Sequence, residues 1–221
     1  MSANKQFAAK MANTFISATF GNIVADAVMA GIKGTGKPFD WSEEIFGSMQ
    51  VGTAFIAYPC AVEFLSKHCK FVQKAQENNE NYKVYIAGGL GAAAITTAVN
   101  IPLQKIKEAV NSKKNPDFTV KEFAVRYVNS VPGAIGFAAT LNTLGPQLPT
   151  FKNSLLEYGK GIFLVTCANI GASLSGFPLR KIQSNARLID AVLDPIYGIP
   201  STTICNDSVS HFSKVLGFIS E

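Results

Sequence analysis

The sequence predicts an all-α integral membrane bundle of about six helices, arranged as a pseudo-threefold repeat of helix pairs. Three observations carry that expectation. Only 16% of the residues are charged and 48% are hydrophobic, whereas soluble domains carry ~25% charged residues; the charge is too sparse to clothe a soluble surface. The charges also gather in short segments, Lys33 to Glu44, Lys67 to Lys83, Lys105 to Glu122 and Arg180 to Asp194. Between them lie nearly uncharged stretches close to the ~20 residues that a helix needs to cross ~30 Å of hydrocarbon. Finally, small residues and prolines recur inside those stretches, which membrane helices tolerate better than soluble ones.

Apolar runs and turn signals place the helices at Met11–Lys33, Ile45–Lys67, Val84–Glu108, Lys121–Leu144, Ser154–Ile182 and Ile199–Ile219. The first follows Lys5 and Lys10 but contains Asn13, Asn22 and Asp26 and lacks a small-residue cleavage site. It reads as a retained helix rather than a removable leader. Asp26 inside it needs a partner, water or a proton. Glu43 and Glu44 belong on the first turn of the second helix, where carboxylates favour the positive end of the dipole, rather than in an acid–base dyad. Turn chemistry separates the helices at Gly34 to Pro38, Asn78 to Asn81, Lys113 to Asp117 and Gly145 to Pro149. The last helix is the least apolar, because Asn206, Asp207 and His211 interrupt it. It packs inside the bundle or lies partly at the interface.

Small residues stand four apart at Gly21/Ala25, Ala27/Gly31, Gly89/Ala93, Ala168/Ala172 and Gly171/Ser175. In lipid, where the hydrophobic effect does not draw helices together, such faces let backbones approach for dispersion contacts. Pro59, Pro102, Pro132, Pro178 and Pro200 fall within or at the start of the expected spans, each removing a backbone donor.

The prolines are not independent of one another. The stretch Ala93 to Lys107 is echoed by Ile170 to Gln183, with Pro178 standing 76 residues after Pro102. Both read as a small-residue helix followed by Pro-Leu-polar-Lys-Ile-polar. Phe39 to Pro59 similarly resembles Phe118 to Thr140, and Val131-Pro132-Gly133 resembles Ile199-Pro200-Ser201. Three tandem helix pairs with a period of about 70 to 79 residues fit these echoes. The chain is then a single membrane domain over 1–221, with repeats at about 1–82, 83–152 and 153–221.

These residues resemble a mitochondrial carrier. Ala87 to Lys107 looks like the odd-numbered helix of a carrier repeat, which ends in Pro-x-acid-x-x-base. Arg126 to Leu144 is similar to an even-numbered carrier helix, and Gly161 to Gln183 followed by Tyr197 to Leu216 looks like a further pair. In Met11 to Lys67 only the second helix is recognisable. The resemblance covers most of the chain and implies a divergent, shortened carrier of the mitochondrial inner membrane.

The departures lie at the gate. Carriers place an acid two residues after the proline and a base five after it, and join them in salt bridges between helices. Here Gln104 and Lys107 hold those positions in one repeat and Arg180 and Gln183 in another, with no acid among them. The first repeat lacks the proline and has Asp26 near its place. The resemblance therefore makes Gln104, Lys107, Arg180 and Gln183 a gate, or a contact for an anion or partner chain. It puts substrate contacts about one turn before the even-helix prolines, at Ile56, Asn129 and Tyr197, with Arg126 the nearby cation for an anionic substrate.

The remaining residues narrow the function. The net charge of +5 fits an anionic membrane surface, an anionic substrate, or Lys and Arg flanking the spans. Nucleic acid is not expected, since there is no basic run interleaved with aromatics and no zinc-finger spacing. Cys60, Cys69, Cys167 and Cys205 lack Cys-x-x-Cys spacing, and His68 and His211 stand far apart. We expect no metal, no cofactor and no enzymatic activity. Two readings stay open: transport of a small metabolite on a carrier scaffold, or a non-transporting subunit that holds neighbouring membrane subunits together. The expected partners are the lipid bilayer, anionic lipid included, and a small-molecule substrate or those subunits. Basic loops on both faces leave orientation open, while an even number of spans puts both termini on one side.

Overall fold

A computed structural model describes residues 3–33, 40–112, 119–183 and 187–215. Every regular element among the described residues is helical: α1 (Ala3–Lys33), α2 (Trp41–His68), α3 (Lys70–Glu77), α4 (Asn81–Ser112), α5 (Val120–Leu144), α6 (Ser154–Gln183), α7 (Asp190–Tyr197) and α8 (Ile199–Val215), with a short 3-10 turn at Gly145–Gln147. The six expected helices correspond to α1, α2, α4, α5, α6 and α8. The expected turns at Gly34 to Pro38 and Lys113 to Asp117, and the end of the last helix beyond Val215, lie outside the described residues.

Four helices are long and apolar enough to cross a membrane, at Asn4–Ile32, Trp41–His68, Asn81–Asn111 and Ser154–Gln183. The shortest has 28 residues, or ~42 Å at 1.5 Å per residue, and exceeds the ~30 Å hydrocarbon core. These helices mark the chain as a membrane protein. α5 and α8 are not among them. α5 opens on Lys121, Glu122 and Arg126, and α8 has only 17 residues. Pro59, Pro102, Pro132 and Pro178 sit inside α2, α4, α5 and α6, and Pro200 is the second residue of α8.

Two short helices were not expected, because eight residues give barely two turns of periodicity inside charge-rich connections. α3 buries Val72 and Ala75 in a cluster with Val62, Leu65, Cys69, Val84 and Ala87. It ends in a left-handed turn at Asn79, φ 56°, a conformation that Asn accepts more readily than most residues. The Glu80 N–H donates back to the Ala75 carbonyl at 2.8 Å, closing the helix end. α7 opens beside Arg187, whose guanidinium donates two hydrogen bonds to Asp190, at 3.0 and 2.8 Å.

The chain divides into two compact units. One comprises Met1–Ala57, Ala98–Val120 and Pro200–Glu221, the other Tyr58–Thr97 and Lys121–Ile199. In the first unit α2 crosses α1 at Gly52, where a Cβ would meet the Thr19 hydroxyl and stand 2.8 Å from the Phe15 carbonyl. α1 meets α8 at Gly21, where a Cβ would stand 2.8 Å from the Cys205 carbonyl. In the second unit Gly91 of α4 faces Ala61 of α2, Gly89 faces Ile135 of α5, and Gly136 of α5 faces Gly171 of α6. Four of the five small-residue pairs serve such contacts or are buried: Ala25, Ala93 and Ala168 are fully buried, and Ser175 packs on Gly136. Ala27/Gly31 is the exception. Ala27 is exposed and Gly31 has no neighbour within 4 Å, so spacing alone did not reveal which face of α1 is covered.

Gly136 gives the sharpest test of this packing. A Cβ there would lie 2.5 Å from the Gly171 backbone carbonyl, and a backbone cannot step aside as a flexible side chain can. Gly136→Ala should destabilise the purified protein by ~1–3 kcal/mol, as overpacking does. Gly161→Ala, with nothing within 4 Å of its Cβ, should be neutral or stabilising by up to ~1 kcal/mol. Thermal unfolding in detergent reads both; equal effects would reject close packing of α5 on α6.

Candidate functional site

Polar side chains in the first unit form a buried seam between α1 and α2. Asn13, Ser17, Ser48 and Thr53 are at most 4% exposed. The Ser17 hydroxyl donates to Asn13 Oδ1 at 3.0 Å, and Thr53 returns its proton to the Met49 carbonyl at 2.9 Å. Asn22 Nδ2 donates to Asp26 Oδ2 at 2.6 Å and reaches across to Ser48 Oγ at 3.1 Å. The Glu44 side chain approaches the same Asp26 carboxyl. Asn22 therefore gives Asp26 the hydrogen-bond donor that an acid in an apolar span requires.

The expected gate residues fall in both units. In the first, Lys107 Nζ donates to Glu43 Oε1 at 2.7 Å, joining α4 to α2. One turn away Ser42 Oγ donates to Asn111 Oδ1 at 3.1 Å. Glu43 and Glu44 do lie in the first turn of α2, but Glu43 also neutralises a base. This corrects the expectation that no acid meets Lys107. The partner comes from a helix start 64 residues away, outside the motif positions where an acid was sought. Gln104 Nε2 stays within α4 and donates to Glu108 Oε1 at 3.0 Å. Just before Pro102, the Asn100 Oδ1 atom is buried with no hydrogen-bond partner among the described residues.

In the second unit Gln183 Nε2 donates to Asn129 Oδ1 at 2.9 Å, joining α6 to α5. A residue expected at the gate and one expected to touch substrate are thus bonded to each other. Arg126 pairs with Glu122 one turn back on α5, at 3.0 Å. Arg180 donates to the Ser173 carbonyl within α6. Tyr197 is 73% exposed and ends α7, separated from α8 by Gly198, so it is not on the helix that carries Pro200. Ile56 is a half-buried residue of α2 in the first unit. Thr97 of α4 and Ser130 of α5 share a further hydroxyl contact at 3.4 Å, beside Asn129. Their sequence signal was weak, because hydroxyls in helices commonly bond to their own backbone.

The chemistry available is hydrogen bonding and charge pairing between helices. Among the described residues no cluster of three His, Cys, Asp or Glu side chains has the geometry to hold a metal ion. Outside the four long helices, the two hydrogen bonds from Arg187 hold the Asp190 carboxyl below its ordinary value. A depressed carboxyl contributes stability above its unfolded pKa and loses it as pH falls through the lowered folded value. Protection of the α7 amides, taken relative to their intrinsic exchange rate at each pH, should therefore fall on acidification below pH ~4, and Asp190→Asn should remove that dependence; an unchanged protection profile would contradict it.

Lys107 and Glu43 lend themselves to a double-mutant cycle. Their side chains are 25% and 63% exposed, so solvent screens the pair and a coupling of ~0.5–1 kcal/mol is expected. Lys107→Glu should destabilise, and Glu43→Lys in the same chain should restore stability. Additive single effects, measured by unfolding in detergent, would deny the contact. No known protein family, curated protein or solved structure matches the chain.

Proposed function

We propose that this chain is a divergent, mitochondrial-carrier-like integral membrane protein that moves a small metabolite across its membrane on a scaffold of three helix pairs. One observation supports the reading above the others. The residue five after Pro102 and the residue five after Pro178 both bond to the preceding long helix of the chain, Lys107 to Glu43 on α2 and Gln183 to Asn129 on α5. These positions are where carriers place the bases of their gate. The neighbours α1–α2, α2–α4, α4–α5, α5–α6 and α1–α8, each meeting within one unit, agree with helix pairs laid down in chain order. The mitochondrial inner membrane is the location this reading implies.

A carrier alternates access by making and breaking contacts whose balance substrate shifts. In this chain one ion pair and one amide pair would form the breakable contacts, in place of the repeated ion pairs of a full carrier network. Each is worth ~1 kcal/mol, so the two states would lie close in free energy.

A second reading, a non-transporting subunit, is favoured by a different observation. Arg126, the cation assigned to substrate, is paired with Glu122, and Tyr197 is turned out on α7. Proteoliposome uptake of a panel of labelled small carboxylates and phosphates separates the readings. Transport predicts saturable uptake of at least one compound, with Lys107→Ala and Gln183→Ala each changing the rate roughly fivefold, the equivalent of ~1 kcal/mol. A folded protein that moves none of them, and co-purifies in stoichiometric amount with other membrane chains, would establish the subunit instead.

A further inference from the structure

The start of α4 and the short helix α3 form an outward surface of the second unit that the function above leaves unused. Tyr82, Ile86 and Leu90 follow one another a turn apart on α4 and are 60%, 44% and 38% exposed. This apolar stripe ends at two aromatic rings around one ammonium group: Lys83 Nζ stands 5.8 Å from the Tyr82 ring centroid and 5.9 Å from that of Phe71 on α3. Phe71 is itself 56% exposed. Apolar side chains giving way to Tyr, Phe and Lys over a few residues is the order met on crossing from hydrocarbon to headgroups.

Charge adds what the aromatic rim alone does not. α3 is held by its buried Val72 and Ala75, which leaves Lys70 and Lys74, one turn apart, exposed on its outer side. Two nearby acids are already engaged, Glu63 with Lys67 at 2.5 Å and Glu80 with Lys83 at 2.7 Å. Glu77 is the only acid on α3 itself, so one carboxylate stands against two ammonium groups. A zwitterionic headgroup would gain little from that excess, whereas an anionic one is attracted to it.

We propose that α3 and the first turns of α4 form a docking site for an anionic phospholipid, its acyl chain along Tyr82, Ile86 and Leu90 and its phosphate at Lys70 and Lys74. The proposal rests on the membrane reading and adds a lipid preference at one defined corner. Trp41 is the only tryptophan, so Trp41→Phe/Tyr82→Trp gives a single reporter at the rim, and Trp41→Phe/Leu90→Trp gives one two turns deeper. Both are reconstituted as the full chain in phosphatidylcholine containing brominated phosphatidylglycerol or brominated phosphatidylcholine. The rim reporter should be quenched with a roughly fivefold preference for the anionic lipid, the value of one net lysine charge at a membrane surface. Lys70→Gln/Lys74→Gln leaves the Glu77 carboxylate unopposed on α3, and should bring that ratio to one or below and leave the quenching at position 90 unchanged. A ratio of one in the parent, with position 90 still quenched by lipid, would overturn the lipid site and spare the membrane reading. Escape of position 90 from all lipid quenching would overturn both.

Discussion

A helix in lipid has already satisfied its backbone, so association with its neighbours depends on how closely two backbones can approach and on polar side chains that find no other partner. Both devices recur in this chain. Gly52 admits the Phe15 carbonyl of α1 and Gly136 admits the Gly171 carbonyl of α6, with room for no side chain at either crossing. Between α1 and α2 polar side chains also bond to one another: Asn22 holds Asp26 and Ser48 together. The buried residues tell the same story, since most are Ala, Ser or Thr, while the large apolar side chains Phe20, Phe64, Phe163 and Ile182 are turned outward. A soluble protein hides such residues. In a bilayer they face a solvent as apolar as themselves.

The same constraint gives the inter-helix bonds their significance. Lys107–Glu43 and Gln183–Asn129 each follow a proline by five residues and tie the helix to the preceding long one. A proline inside a helix releases the carbonyl four residues before it and bends the helix there, so a side-chain bond five residues beyond the proline fixes where the segment after the bend rests. Bonds of this strength hold a conformation without locking it. That suits a carrier that must open, and equally a scaffold whose helix ends are set by neighbouring chains.

The long helices were legible as helices because apolar runs bounded by turn signals mark them directly, although four of the six expected are long and apolar enough to cross a membrane. The expected Ser154–Ile182 became Ser154–Gln183, and Lys121–Leu144 became Val120–Leu144. α3 and α7 were not legible, since two amphipathic turns within a run of charges look like a polar connection until Val72 and Ala75 are seen packed. Of the residues singled out for the site, the sequence did not reveal the partners. Lys107 and Gln183 were singled out as contact residues, yet the acid for Lys107 was Glu43, whose place in the first turn of α2 already offered it a role near the helix dipole. Asn129, expected to touch substrate, accepts a hydrogen bond from Gln183. The partner of Asp26 was within reach, because Asn22 lies four residues before it and so on the same helix face. The last helix was expected from Ile199 and begins there, so Tyr197 already stood before it; the short α7 that ends at Tyr197 was not expected.

The account stands on α1, α2, α4 and α6 lying in a bilayer, and extraction of the expressed chain from membranes tests that most directly. The chain should stay with the pellet through high salt and through alkaline carbonate, enter solution only with detergent, and then give a far-ultraviolet circular dichroism spectrum dominated by helix. Release by carbonate as a soluble, folded monomer would contradict it, because the outward Phe and Ile side chains would then have to face water.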